Sequence, residues 1–197
     1  MLSAVSTPRR APVQRRSALR VERMLDAAAE LLDELGPDAL STSAIAARAG
    51  VSVGSLYQFF PDKHAVAQAL ARRSFERFSH ELAAVGGGNW EDVVDQVVDT
   101  YVAFSQSEPG FLVLSFGGPL GQQHLLDPED DNNAVVAKAL SEIVEVDVPV
   151  DIMRNAIEVG DALLALAFRR SPDGDPELVT EAKTAVKAYL RAHLTAS

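Results

Sequence analysis

The chain has 197 residues, of which 47% are hydrophobic, a composition that excludes a largely disordered protein and is sufficient for one core or two small ones. It contains no cysteine, which excludes disulfides, thiolate nucleophiles and cysteine metal sites. No apolar run approaches the roughly 20 residues of a membrane span, and no apolar core follows the N-terminal arginines as it would in a signal peptide. We therefore expect a soluble, cytoplasmic protein that does not enter a membrane.

The net charge of −10 is unevenly divided along the chain. Residues 1–80 carry 11 basic and 8 acidic side chains, whereas residues 81–197 carry 7 and 20, so the two parts have net charges of +3 and −13. A basic N-terminal part and an acidic C-terminal part are typical of a protein that binds DNA through its N-terminal part only.

The N-terminal segment, residues 1–16, is rich in proline, serine and arginine, and we predict a disordered basic arm that reaches phosphates or a minor groove. Ser17 is the expected cap of the first helix. An apolar stripe at helical spacing then runs from Val21 to Leu35, and Gly36-Pro37 ends the helix.

The most informative stretch, Leu40 to Lys63, reads as two short helices joined by a glycine turn. Thr42 is the expected cap of the first helix, Gly50 makes the turn, and Ser52 caps the second. Two such helices form a helix-turn-helix, whose second helix enters the major groove of DNA. The alternative is an ordinary helical hairpin. The exposed face of the second helix carries Val53, Gly54, Ser55 and Gln58.

This stretch closely resembles the DNA-binding region of the tetracycline-repressor (TetR) family, in which T-x-x-I-A-x-x-A-G-V-S-x-G-x-L-Y-x-x-F-x-x-K recurs. Every fixed position of that pattern is present between Thr42 and Lys63. The resemblance implies that Thr42, Tyr57 and Lys63 bind phosphates. It also places closest to the bases Ser43, Val53, Gly54, Ser55 and Gln58, with Ser52 beside them at the start of the helix.

The rest of the chain predicts an all-α protein, with a long helix from about Asp62 to the glycines at 86–88 joining the DNA-binding part to a helical bundle. We expect residues 17–63 to form the helix-turn-helix domain and residues 64–197 the ligand-binding and dimerisation domain. Asn89 is the expected cap of the next helix, and the apolar run 111–116 is predicted to be a short buried helix.

The last two helices, residues 150–170 and 175–194, are the most hydrophobic, and the first is apolar almost all round. A chain of this size cannot easily cover both, so a homodimer is expected; in the resembled family these helices pair with their copies. The predicted interface residues are Ile157, Gly160, Leu163, Leu164, Val186, Tyr189 and Leu190.

We also expect a mostly apolar effector pocket, because the resembled family binds small molecules in this domain and several aromatic residues fall in its first helices. The acidic balance of this half mildly favours neutral or cationic ligands. The predicted ligand-binding residues are Phe78, Tyr101, Phe104, Phe111, Phe116, Arg154 and Asn155.

The function expected from these features is a dimeric repressor that binds a palindromic operator in double-stranded DNA and is released by a small, largely apolar effector. The alternatives are a DNA-binding protein without a ligand and an enzyme. No nucleophile–base spacing indicates an enzyme, and neither a cofactor nor a metal is predicted. An acidic cluster at 127–131 near His124 has no recognised metal-ligand spacing.

Overall fold

The computed structural model describes residues 11–86, 88–115, 136–138, 140–141 and 148–194. This part of the chain is helical and contains no strand, so the predicted all-α class is confirmed. The labelled helices are α1 (Ala11–Leu35), α2 (Thr42–Arg48), α3 (Val53–Tyr57), α4 (Lys63–Leu82), α5 (Trp90–Ser107), α6 (Phe111–Ser115), α7 (Val150–Arg170) and α8 (Pro176–Leu194). A 3₁₀ turn at Pro37–Ala39 follows α1.

The chain forms two compact units that divide between Leu70 and Ala71, inside α4. The first unit contains α1, α2, α3 and the beginning of α4. The second contains the remainder of α4 and all later helices. Because the division falls within one continuous helix, α4 contributes residues to both units.

The start of α1 differs from the sequence expectation. The helix begins at Ala11, so residues 11–16 are helical rather than a disordered arm, and Ser17 lies inside the helix and is not its cap. Pro12 does not prevent this start, because a first-turn residue has no intrahelical partner for its N–H. The first ten residues of the predicted arm lie outside the described residues.

The core of the first unit forms where α1 covers the helix-turn-helix. Met24 and Leu32 of α1 are fully buried, as are Ile45 and Ala46 of α2 and Leu56 of α3. These positions have the helical spacing seen in the sequence, which brings one face of each helix inward. Helix α2 therefore packs against α1, and α3 packs against α2, through their apolar faces.

The turn between α2 and α3 has the predicted chemistry with one correction. Gly50 has φ 66°, the left-handed conformation that glycine adopts without steric cost. The Ser52 side chain accepts a hydrogen bond from the Ser55 backbone N–H at 3.1 Å and caps α3. Ser41, not Thr42, caps α2, because its hydroxyl accepts from the Ala44 N–H at 3.1 Å.

In the second unit, α5 and α8 are joined by three ion pairs at intervals of one helical turn. Lys183 pairs with Asp99 at 2.6 Å. Two further pairs, Lys187 with Asp95 and Arg191 with Glu91, are also 2.6 Å long. The Arg191 guanidinium also lies 5.9 Å from the centroid of the Trp90 ring. Such partly exposed pairs contribute at most about 1 kcal/mol each, so their main effect is to fix the register of the two helices.

The remaining helix boundaries are close to those expected. Asn89 caps α5, since its side chain accepts from the backbone N–H groups of Glu91 and Asp92 at 2.9 and 3.1 Å. The short helix α6 forms as predicted, with Phe111 and Leu114 buried. By contrast, α4 ends at Leu82, before the glycines that were expected to stop it. Phe116, His124 and the acidic cluster at 127–131 lie outside the described residues.

Two glycines of the helix-turn-helix offer a matched test of its backbone. A Cβ at Gly50 or Gly54 would meet nothing within 4 Å, but only Gly50 has a positive φ. We expect Gly50→Ala to lower the free energy of unfolding by about 1 kcal/mol, because a left-handed conformation is strained for alanine. Gly54→Ala, within α3, should be neutral or stabilising by up to about 1 kcal/mol. Urea unfolding of both variants provides the measurement, and equal effects would contradict this account.

Candidate DNA interface and effector cavity

The predicted DNA-binding residues lie together on the surface of the first unit. On α3, Val53 is 36% exposed and Tyr57 53% exposed, whereas Leu56 between them is completely buried. Helix α3 therefore has one buried face and one exposed face, and the exposed face is available to a partner. The other predicted contacts are also accessible: Ser43, Ser52, Gln58 and Gly54 are exposed, and Thr42, Ser55 and Lys63 are half-buried.

Two of the predicted phosphate contacts meet in space. The hydroxyls of Thr42, in the first turn of α2, and Tyr57, at the end of α3, are 3.3 Å apart. Two residues that are 15 positions apart in the sequence thus place their hydroxyl groups side by side. Because a hydroxyl both donates and accepts, this pair has hydrogen-bonding capacity left for a phosphate oxygen.

Arg48 at the end of α2 fixes this helix to α1. Its guanidinium donates to both carboxylate oxygens of Glu34, at 3.1 and 2.8 Å, and to Glu30 at 3.1 Å. The hydrogen bond from Arg48 lowers the pKa of Glu34, and the hydrogen bonds to Glu34 and Glu30 raise the pKa of Arg48. The exposed arginine therefore helps to fix the orientation of α2 relative to α1.

The second unit contains a partly open cavity of about 200 Å³. Its walls come from the end of α4, from α5, α6, α7 and α8, and from Val136 and Leu140. Most of the lining is aliphatic or aromatic. The lining side chains are Ala71, Ser74, Phe75, Phe78, Val93, Val94, Val97, Val98, Tyr101, Phe111, Leu114, Val136, Leu140, Met153, Ala156, Ile157, Asp161, Leu164, Val186 and Leu190, with Gly160 as backbone.

Three polar side chains interrupt this apolar lining: Ser74, Tyr101 and Asp161. Ser74 is buried and donates to Glu108 at 3.4 Å, and Arg77 donates to the same carboxylate at 2.9 and 3.2 Å. Tyr101 is only 8% exposed. Burial raises the pKa of Tyr101 well above its ordinary value, and the negative charge of Asp161 raises it further. The phenol therefore stays protonated at neutral pH.

The predicted ligand-binding residues divide into two groups. Phe78, Tyr101 and Phe111 line the cavity, and Phe104 packs against Phe78 and Phe111, with ring centroids 5.4 and 4.8 Å apart. Arg154 and Asn155 do not line it: both are exposed, and the amide of Asn155 donates to the Tyr189 hydroxyl at 3.2 Å. These two residues, which were expected to orient a ligand, lie on the outer face of α7 and away from the cavity lining.

Asp161 is the one charged residue among the described lining residues, and the sequence analysis did not predict it. It lies on the inner face of α7 together with Met153, Ile157 and Leu164, at helical spacing. That spacing was available in the sequence. An acidic residue in an otherwise apolar stripe is usually interpreted as the edge of the solvent face.

Most of the predicted dimer-interface residues face inward within one chain. Ile157, Gly160, Leu164, Val186 and Leu190 line the cavity, while Leu163 and Tyr189 are half-buried against the same core. A Cβ on Gly160 would approach the Val186 side chain to 3.2 Å, so this glycine serves packing between α7 and α8 of one chain. Other apolar residues point outward from these helices: Val159, Ala162, Leu166, Ala185, Ala188 and Ala192 are exposed or half-buried.

The described residues contain no group of three or more histidine, aspartate and glutamate side chains placed to hold a metal ion. Within the same residues, no helix combines the length and the apolar character needed to cross a membrane.

The raised pKa of Tyr101 predicts a pH dependence of stability. The unfolded chain releases the phenolic proton near pH 10, whereas the folded protein retains it, so the folded state binds more protons above that pH. Stability supplied by the neutral phenol is thus complete below pH 10 and is lost as the pH rises. Compared with Tyr101→Phe, the unmodified protein should lose up to about 1.4 kcal/mol of unfolding free energy per pH unit above that point. Urea unfolding at several pH values measures the difference, and parallel curves would contradict it.

Two family descriptions match the chain, one for each half. Residues 24–70 match "Bacterial regulatory proteins, tetR family", and residues 88–194 match "Tetracyclin repressor-like, C-terminal domain". The first match covers the second half of α1, then α2, α3 and the beginning of α4. The second covers α5 to α8, which line the cavity together with α4.

Curated relatives and a solved structure agree with these matches. The repressor KstR of Rhodococcus jostii is 48% identical over 91 residues, which are 46% of this chain and 42% of that protein. KstR of Mycolicibacterium smegmatis is 42% identical over 72 residues, 35% of each chain. The matched part therefore spans less than half the length of either repressor.

The similarity extends further in a crystal structure of a TetR-family transcriptional regulator from Streptomyces coelicolor. That protein is 37% identical, with a TM-score of 0.76, over 90% of this chain and 98% of its own. Regulators of this kind are normally not enzymes. The helix-turn-helix, the helical second unit and these similarities lead to one conclusion: the chain belongs to the TetR family of DNA-binding transcriptional regulators.

Proposed function

We propose that this protein is a dimeric transcriptional repressor that binds a palindromic operator and is released from it by a small, largely apolar effector. The observation that carries the proposal is the exposed face of α3, which no other described part of the chain covers. In this proposal the residues up to Lys63 bind DNA, and residues 64–197 bind the effector and form the dimer.

The proposed DNA contacts divide into two chemical classes. Thr42, Tyr57 and Lys63 contact phosphates and set the register of the protein on the duplex. Sequence is read by Ser43, Ser55 and Gln58, whose side chains hydrogen-bond to base edges. Val53 adds apolar contact with thymine methyl groups, and the Gly54 backbone approaches the groove closely. The arginines near the N-terminus, including the exposed Arg16 and Arg20, add sequence-independent affinity.

The proposed dimer uses the outward apolar side chains of α7 and α8. Val159, Ala162 and Leu166 follow one face of α7, and Ala185 and Ala188 lie on α8. Small side chains allow two helices to approach closely, so two copies of this surface would form a tightly packed four-helix interface. Two-fold symmetry presents two recognition helices, which requires a roughly palindromic operator.

The proposed link from effector to DNA is α4. Ala71, Ser74 and Phe78 in its second half line the cavity, and Arg77 anchors that half to Glu108. A ligand in the cavity touches the same helix that carries Lys63 at its first residue. Release requires the ligand to bind more tightly to the arrangement that cannot bind DNA, because equal affinity for both would shift nothing.

The operator can be sought in the DNA that flanks the protein's own coding region. We expect purified protein to bind an inverted repeat from that DNA with a stoichiometry of two chains per site, in a gel-shift assay with competitor DNA. Binding no tighter than to a scrambled repeat would refute the proposed function.

Lys63 provides a test of the phosphate contacts. Lys63→Ala should weaken binding to operator and non-operator DNA by the same factor and reduce the slope of log K against log salt by about one. Lys138→Ala, an exposed lysine of the second unit, is the matched control and should leave the slope unchanged. Equal slopes for the two variants would remove Lys63 from the DNA contacts.

Ala162 provides a test of the dimer. Ala162→Glu places a charge on an exposed site, so the single chain should still fold with the same helix content. Sedimentation equilibrium should show monomers, and operator affinity should fall by roughly 100-fold or more as the second half-site is lost. The control is Ala103→Glu, at an exposed position of α5. A dimeric Ala162→Glu variant with normal affinity would exclude this face.

A further inference from the structure

The helix-turn-helix has no cationic side chain available for contact with a base. Between Ser41 and Asp62 the chain contains one arginine, Arg48, and no lysine. The Arg48 guanidinium is committed to α1, because it donates to Glu30 at 3.1 Å and to both carboxylate oxygens of Glu34 at 3.1 and 2.8 Å. Arginine and lysine make the commonest specific contact with guanine, through its O6 and N7 atoms. The two short helices therefore lack the usual means of reading a guanine in the major groove.

The exposed face of α3 consists of two rows of residues at helical spacing. Val53 and Tyr57 form one row. Gly54 and Gln58 form the other, and all four are exposed. Gln58 follows the last residue of α3 but keeps helical angles, with φ −68° and ψ −23°. Because Tyr57 is a proposed phosphate contact and Gly54 has no side chain, the side chains left for the bases on this face are Val53 and Gln58.

Both of these side chains fit an A·T pair. Val53 offers only methyl groups, which match the C5 methyl of thymine. The Gln58 amide can accept a hydrogen bond from N6 of adenine while it donates one to N7. Guanine cannot make the same pair, because its O6 accepts rather than donates. The nearby serine hydroxyls both donate and accept, so they suit any base and discriminate little.

The absence of a side chain at Gly54 gives Gln58 room to reach a base. A long side chain on a helix covers the turn on its N-terminal side, which for Gln58 is the turn that carries Gly54. A Cβ at Gly54 would meet no atom of the chain within 4 Å, so this part of the surface is open. The Gln58 amide can therefore lie against the edge of a base without displacing a neighbouring side chain.

We propose that the helix-turn-helix reads A·T base pairs in the major groove, with Val53 against the methyl group of a thymine and Gln58 paired with N6 and N7 of an adenine. The inference rests on the proposed function, in which α3 is the recognition helix. It adds the identity of the bases: each half of the operator contains A·T pairs at the positions under α3. The ion pairs of Arg48 with α1 withhold from this surface the residue type that would read guanine.

Modified thymines test the Val53 contact. Binding sites are first selected with the purified full chain from a library of random duplexes. Each thymine of the selected half-site is then replaced by deoxyuridine, which keeps every pairing group and lacks only the methyl. At the contacted thymine this should reduce the affinity about fourfold in one half-site and on the order of 15-fold in both, as expected for the loss of one buried methyl group per half-site.

The variant Val53→Ser assigns this effect to one residue. It removes the apolar contact from an exposed site, so operators with thymine and with deoxyuridine should bind it equally. Val150→Ser makes the same change at the first residue of α7, which is 46% exposed, and should keep the difference between the two operators. A difference that persists in Val53→Ser would exclude Val53 as the thymine contact.

The analogue 7-deazaadenine tests the Gln58 contact, because it replaces the N7 acceptor by a C–H group. At the contacted adenine it should reduce the affinity about fivefold or more. Gln58→Ala should bind the normal and the modified duplex equally, whereas Gln68→Ala, at an exposed position of α4, should keep the difference. If both variants keep it, Gln58 is not the adenine contact.

Two outcomes of the selection separate this inference from the proposed function. If no duplex is enriched over random DNA, the protein does not recognise a DNA sequence, and both proposals fail. If an inverted repeat is enriched but tolerates both base analogues at every position, or has half-sites without A·T pairs, the proposed function stands and the A·T readout is wrong.

Discussion

The helix-turn-helix depends on the packing of two very short helices, α2 against α1 and α3 against α2. Helix α2 has 7 residues and α3 has 5, far below the length of about 12 at which an isolated helix becomes marginally stable in water. These helices are stabilised by their contacts with the rest of the unit. Ile45, Ala46 and Leu56 are buried, and the side chains of Ser41 and Ser52 cap the first turns of α2 and α3. Arg48 forms ion pairs with two glutamates of α1. The geometry of the recognition surface is thus set by contacts on its opposite side.

The second unit combines ion pairs at its periphery with an apolar cavity in its interior. Ion pairs fix α5 against α8 on the outside, and the rings of Phe78, Phe104 and Phe111 form a cluster on one side of the cavity. An apolar cavity forfeits dispersion contacts, at a cost that grows with its volume. A ligand that fills it recovers these contacts. If the cavity is the effector site, as proposed, the recovery of these contacts supplies part of the affinity for the effector.

The sequence was most informative where a residue type is required by local backbone geometry. Local sequence was enough to predict the turn at Gly50, which has a positive φ, and the helix caps Ser52 and Asn89. It was also enough to predict the buried positions Ile45, Ala46 and Leu56 from their helical spacing. The start of α1 was missed because no cap marks it, and the composition of residues 11–16 also suits a disordered segment.

The inner and outer faces of α7 could not be separated for a different reason. This helix carries apolar residues in nearly every direction, so its periodicity does not tell whether Leu164 or Leu166 meets the protein's own core. Only the positions of α5 and α8 decide it, and those depend on contacts between residues distant in sequence. The faces on which Asp161 and Ala162 lie could not be assigned from the sequence for this reason.

Because α3 has one buried face and one exposed face, the DNA sequence that such a protein recognises can change during evolution while its fold is kept. Leu56 carries the packing, whereas a side chain at Gly54 would extend into open space, and Val53 and Gln58 are exposed. In the proposed DNA interface, substitutions at these exposed positions would change the groups that face a base pair and would remove little packing from the core. Duplicated copies of the gene could therefore acquire new operators by few mutational steps, without first passing through unstable intermediates.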